Sequence, residues 1–307
     1  MGIYKFFTHN QLTPNIFHMK CELCSSNDVQ IRNYYGFSIT NLKRKLPYLV
    51  PAKLLKFFLR NKHVRKIITN KHFFFSRKKI YCNDCNLGFV FPKFQTFELS
   101  QYYEKQYWDY RDKTEGLHVA EFKKEVKFHD AQLSLHKQRI NFINKYISNY
   151  DSVLDFGAGD CSASFIFKGE NKVVTAFDYS RKSEHICKEI EVKFISDKNN
   201  LPMSDLIYSS HSLEHVEDIN LIFNIFLKKT NPGKYLFFET PNIGNSYVFN
   251  NLIHTPHTYM LNKKAFVELS KRYNLKIIAI ELFGSHWSYL KNNNKNCRPD
   301  IRVLFQK

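Results

Sequence analysis

Residues 151–307 predict an α/β domain built on a mostly parallel sheet, and three observations carry that prediction. Strand-like and helix-like patterns alternate along the segment. Its first apolar run, Val153-Leu154-Asp155-Phe156, contains an acid and opens into Gly157-Ala158-Gly159. Its second, Val173 to Phe177, ends at Asp178, 23 positions after Asp155. A glycine turn followed about 20 residues later by an acid holds a nucleoside cofactor at the carboxyl ends of parallel strands.

The strands predicted in order are 152–156, 173–178, 192–195, 205–210, 234–239, 275–282 and 300–306. Helices fill the gaps at about 161–169, 180–190, 217–229 and 262–273. Asn262 is placed to cap the last helix, and Asn231-Pro232-Gly233 to end the one before the fifth strand. No helix-length segment separates the last two strands, so they should be antiparallel neighbours.

Ahead of this domain, residues 1–100 carry two cysteine pairs, and residues 101–150 read as a helical, aromatic-rich linker with Tyr102, Tyr103, Tyr107, Trp108 and Tyr110. Met19-Lys20-Cys21 is a natural start for a chain whose first element is a metal knuckle, so translation is expected to begin at Met19. No apolar run reaches the roughly 18 residues of a transmembrane helix. Seven cysteines, four of them in Cys-x-x-Cys pairs, suit a reducing cytosol and a metal better than disulfides. Cys21, Cys24, Cys82 and Cys85 supply the four thiolates of a structural tetrahedral zinc site.

The net charge of +18 is concentrated: residues 29–83 hold 14 Lys and Arg and no Asp or Glu. An anionic partner fits that segment, whether nucleotide-sugar, RNA or membrane surface. Within it, Leu54 to Ile68 reads as a basic amphipathic helix, which points to peripheral contact with an anionic membrane.

Further motifs follow the glycine loop. Asp197 stands after the third strand. The fourth runs into Ser209-Ser210-His211-Ser212-Leu213-Glu214-His215, and Asn231-Pro232-Gly233-Lys234 precedes the fifth. After Gly159 come Asp160 and Cys161, not the spacing of the dinucleotide fingerprint, so a dehydrogenase is excluded. Over about 150 residues the pattern resembles the class I S-adenosylmethionine (SAM)-dependent methyltransferases. That resemblance implies a seven-stranded sheet of order 3-2-1-4-5-7-6 with strand 7 antiparallel. It implies that Asp155, Gly157 and Gly159 hold the methionine end of SAM, that Asp178 binds the ribose hydroxyls, and that Asp197 accepts from the adenine amino group. Ser210 and His211 would lie beside the methionine moiety. Two positions depart from the family pattern: Cys161 and Lys234 stand where it has glycines.

A zinc knuckle ahead of such a core resembles bacterial sugar methyltransferases, which act on nucleotide-linked sugars or surface polysaccharides. The acceptor implied is a sugar or glycan-related small molecule. In C-methylating members a Tyr-His-Glu-His motif supplies the base. His257 matches its last histidine, but Pro256 replaces the glutamate, which leaves O- and N-methylation open. A hydroxyl acceptor gains from a base titrating near neutrality, and the histidine candidates are His257, His215 and His211. RNA methylation is the alternative that the basic charge supports, and a non-catalytic SAM- or nucleotide-binding module is a third reading. The motif for flipped bases is absent after the fourth strand, which places RNA second.

Overall fold

A computed structural model describes residues 19–33, 77–103, 128, 130–243, 257–283 and 299–307. The amphipathic segment 54–68 and the aromatic residues Tyr107, Trp108 and Tyr110 lie outside them.

The first described strands are β1 (Val29–Asn33), β2 (Lys78–Cys82) and β3 (Gly88–Phe91), followed by helix α1 (Thr96–Tyr102). Helix α2 (Asp130–Tyr146) then leads into the predicted alternation: β4 (Ser152–Phe156), α3 (Ser162–Gly169), β5 (Val173–Phe177), α4 (Lys182–Glu189), β6 (Lys193–Ile195) and β7 (Ser204–Ser210). Next come α5 (Ile219–Lys229), β8 (Thr230–Pro241), β9 (Tyr259–Met260), α6 (Lys263–Arg272), β10 (Lys276–Phe283) and β11 (Asp300–Gln306). The large sheet has the order β10-β11-β8-β7-β4-β5-β6. Only β11 runs against its neighbours, pairing antiparallel with both β10 and β8. This is the order and the one reversed strand that the resemblance implied.

Side-chain alternation explains why the sheet is covered on both faces. On β8, Tyr235 and Phe237 pack with Ile143 of α2 and Phe167 of α3. The intervening Leu236 and Phe238 pack with Phe223 and Phe226 of α5 and Phe266 of α6. Successive strand residues point to opposite faces, so a strand covered on both sides reads as an unbroken apolar run. Each such Phe contributes about 1.5–3 kcal/mol when fully buried. Asn262 caps α6 as expected, its Oδ1 accepting from the Lys264 and Ala265 amides at 2.9 and 3.1 Å.

One boundary differs from the prediction. Asn231-Pro232-Gly233 does not terminate α5, which ends at Lys229, and these residues lie inside β8. Thr230 is already paired with Ser204, and the register shifts before Leu206 meets Tyr235. Residues 231–234 are therefore the extra length of a bulge, with Gly233 at φ +73°.

A smaller sheet has the order β1-β2-β3-β9. Its last strand was not anticipated: Tyr259 and Met260 pair with Phe89 and Gly88. Two residues are too short a run to show any periodicity. Cys21, Leu23, Ile80 and Leu87 share one apolar cluster with Leu213, Ile219 and Phe266, so the cysteine-bearing strands and the large sheet have a common core. No helix among the described residues is long and apolar enough to cross a membrane.

Candidate active site at the carboxyl ends of the parallel strands

The loop after β4 is held against the end of β5. The amides of Gly157 and Ala158 both donate to the Phe177 carbonyl, at 2.8 and 2.9 Å. Gly157 has φ +79°, and a Cβ there would sit 2.1 Å from Ser212 Oγ. Both facts demand glycine. Gly157→Ala should destabilise the fold by about 1–3 kcal/mol, the usual cost of overpacking. Gly169→Ala, where a Cβ would meet nothing within 4 Å, should be neutral or stabilising. Thermal unfolding of the two variants side by side checks the contrast.

Asp178 is half-buried at the end of β5. Its Oδ2 accepts from the Gly159 amide at 2.9 Å and its Oδ1 from the Ser180 amide at 2.7 Å. Burial raises its pKa against these two donors. Each oxygen keeps lone-pair capacity for a further donor. Asp155 lies deeper. Burial pushes its carboxyl up to about 7, and its Oδ2 accepts from Ser164 Oγ at 2.6 Å. It supports the loop from beneath, tying β4 to α3.

Cys161, where the resemblance implies a third glycine, has a left-handed backbone, φ +59°. The thiol is small enough to enter the core, 3.3 Å from Cys187 Sγ. At the rim, Asp197 is exposed and caps its own turn, Oδ1 accepting from the Asn199 amide at 2.9 Å. Nearby, buried Glu217 pairs with Lys198 and accepts from Thr96 Oγ1 at 3.1 Å and Tyr179 Oη at 3.0 Å. That cluster ties α1 to the end of β5, and the reading from sequence had not picked it out.

Ser210 ends β7, and His211 follows with φ +53°. Three carboxylates surround the His211 ring. Nδ1 is 3.5 Å from Glu214 Oε1, and Nε2 is 3.2 Å from Glu239 Oε1 and 3.7 Å from Asp300 Oδ2. Burial opposes the charge, but the carboxylates outweigh it and push the imidazole up to about 10. A ring that keeps its proton at neutral pH suits a fixed cation better than a base. Glu239 also holds Arg139 at 2.6 Å and, through its other oxygen, Arg302. The sequence signal for Glu239 was an acid inside an apolar strand, Tyr235-Leu236-Phe237-Phe238-Glu239.

His215 and His257 come together. Their ring centroids are 4.7 Å apart, and the polar atoms of Glu214, His215 and His257 lie within 4.8 Å of one another. The backbone sets this arrangement: Thr258 N donates to the Glu214 carbonyl at 2.8 Å, and Thr258 Oγ1 to the Val216 carbonyl at 2.6 Å.

The four cysteines also converge. Cys21 Sγ is 3.5 Å from Cys85 Sγ, and Cys24 Sγ is 3.5 Å from Cys82 Sγ. All four sulfurs lie within 4.8 Å of one another. Tetrahedral zinc with bonds of about 2.3 Å needs sulfurs roughly 3.8 Å apart, so the set fits the ion.

Residues 127–298 match a family model described as a methyltransferase domain. No curated protein matches the chain. Similar solved structures include a SAM-dependent methyltransferase from Archaeoglobus fulgidus, with 20% identity and TM-score 0.46 over 57% of this chain and 94% of that one. Magnesium protoporphyrin IX methyltransferase (ChlM) from Synechocystis PCC 6803 has 12% identity and TM-score 0.48 over 69% and 98%. The N-methyltransferase NodS from Bradyrhizobium japonicum WM9 has 13% identity and TM-score 0.41 over 58% and 96%. With more than half of its residues inside the matched segment, this chain belongs to the methyltransferase domain family.

Proposed function

We propose that the chain transfers a methyl group from SAM to a sugar or glycan-related small molecule. One observation carries the donor: the Asp178 carboxylate is fixed by the Gly159 amide of the glycine loop and the Ser180 amide just past β5, and retains capacity for two more hydrogen bonds. A ribose diol supplies both. Asp155, Gly157, Gly159 and Ser210 border the methionine end, and the rim at Asp197 receives the adenine. Methyl transfer is an in-line displacement, so positioning the two reactants does most of the work. Activation of the acceptor hydroxyl falls to His257 and His215. His211, held as a cation, orients the segment that carries them.

The sugar reading draws on the knuckle-before-core organisation: residues 1–100 with zinc at Cys21, Cys24, Cys82 and Cys85, a linker at 101–150, and the SAM domain at 151–307. A four-thiolate zinc has no open position and stiffens the fold without taking part in the chemistry. Labelled SAM offered with a panel of nucleotide-linked deoxysugars, and separately with total RNA, tests the acceptor. Label is expected in the sugar fraction. Label found in RNA alone replaces this reading with the RNA one.

A further inference from the structure

We propose that Glu214, His215 and His257 bind a divalent metal cation, at a site separate from the four-cysteine cluster. Glu214 is 1% exposed, yet neither of its oxygens makes a hydrogen bond. Its Oε1 has His211 Nδ1 at 3.5 Å and His215 Nε2 at 3.8 Å, while Oε2 has no such neighbour. The His211 imidazolium offsets part of the cost of burying this carboxylate from the Oε1 side, and a metal cation on the Oε2 side would offset the rest. Two imidazoles and a carboxylate form a donor set for zinc, manganese or ferrous iron that leaves coordination positions open.

Separate elements deliver the ligands. Glu214 and His215 stand in the 3-10 turn Leu213–His215, just past β7. His257 arrives on the strand-like segment that pairs with β3, and Thr258 anchors that segment to the turn through the Glu214 and Val216 carbonyls. The three donor atoms lie within 4.8 Å of one another, so small side-chain adjustments bring them to bonding distance.

A second cluster, His211, Glu239 and Asp300, meets the same distance criterion. It is not a cation site, because Glu239 already holds the guanidinium groups of Arg139 and Arg302, which would repel a metal. The cationic neighbour of Glu214, His211, stands 3.5 Å from Oε1, whereas both oxygens of Glu239 are held by guanidinium groups, and this separates the two clusters.

The consequence for catalysis rests on the methyl-transfer reading. An acceptor oxygen entering an open position would lose its proton more readily, with His215 and His257 serving as ligands of the cation that activates it. Cation binding itself does not depend on that reading.

The test uses the full chain supplied with one equivalent of zinc, which the four thiolates take in preference. Mn2+ is then titrated and the free ion followed by electron paramagnetic resonance. One Mn2+ per chain should bind. Losing even a hydrogen-bonded partner of a ligand weakens metal affinity by about 10–100-fold, so Glu214→Gln and His257→Gln should each weaken it at least that much. His185→Gln, on the exposed side of α4, should leave it unchanged. Absence of saturable Mn2+ binding overturns the proposal, as does Glu214→Gln binding Mn2+ like the wild type. Glu214→Gln keeps the shape of the side chain, so it decides should His257→Gln fail to fold. SAM affinity measured on the same samples reports on the donor reading separately, so the two can fail independently.

Discussion

Glu239→Gln should lower the stability of the fold by about 3–5 kcal/mol, the range for breaking a buried ion pair by removing one partner. Arg139 and Glu239 are each 1% exposed and Arg302 is 3% exposed, so water cannot take over either guanidinium. Glu239 Oε1 accepts from Arg139 Nε at 2.7 Å, while its Oε2 takes Arg302 Nε. A glutamine keeps one acceptor but turns an NH2 group toward a guanidinium. Burial alone would raise the carboxyl, but Arg139, His211 and Arg302 hold it well below its usual range. A lowered folded pKa contributes stability above the unfolded value and loses it as the pH falls through the folded one. Glu239 therefore supports the fold throughout the neutral range and weakens it only in strong acid. Urea unfolding of wild type and variant at pH 7 gives the difference, and a loss below about 1 kcal/mol, the level of an exposed ion pair, would show that the network is not closed to water.

Asp178→Ala should reduce SAM affinity by roughly 100-fold or more. Hydrogen bonds to a charged group are worth about 1.5–3 kcal/mol each, and two are proposed to the ribose diol. At about 1.4 kcal/mol per tenfold, their loss covers two decades or more. The substitution also frees the Gly159 and Ser180 amides that the carboxylate now holds, so the loop loses its register. Asp178→Asn keeps one acceptor oxygen and should fall between the two. Calorimetric titration with SAM ranks the three proteins. Equal affinity in wild type and Asp178→Ala would remove Asp178 from the donor site.

The order of the large sheet's strands and their helices from β4 to β11, β9 of the small sheet apart, could be read along the chain because each rests on neighbours within a few turns. Alternation along β8, the Asn262 cap and the φ > 0 turn at Gly157 are local physics. The bulge at residues 231–234 was missed because its cause, the pairing of Thr230 with Ser204, lies 26 positions away. Asp155 and Asp178 were both found from spacing. Their different duties were not: one lies beneath the loop on Ser164, and the other holds the loop's Gly159 amide and the Ser180 amide of its own turn. Glu214 stood in the quoted segment without being singled out. A carboxylate between Leu213 and His215 looks like any helix-end acid until its burial is known.

By itself the sequence determined the α/β class, the glycine loop with its two acids, and the two Cys-x-x-Cys pairs. Only the tertiary structure decided that His257 meets His215, that β9 completes the small sheet, and that Glu239 gathers Arg139 from 100 positions away. The reason is range. Backbone preference and side-chain periodicity act over a few residues and leave their mark in every local window. A contact between distant residues exists because the sheet order brings their strands and loops to one edge. No local window of the chain carries that order.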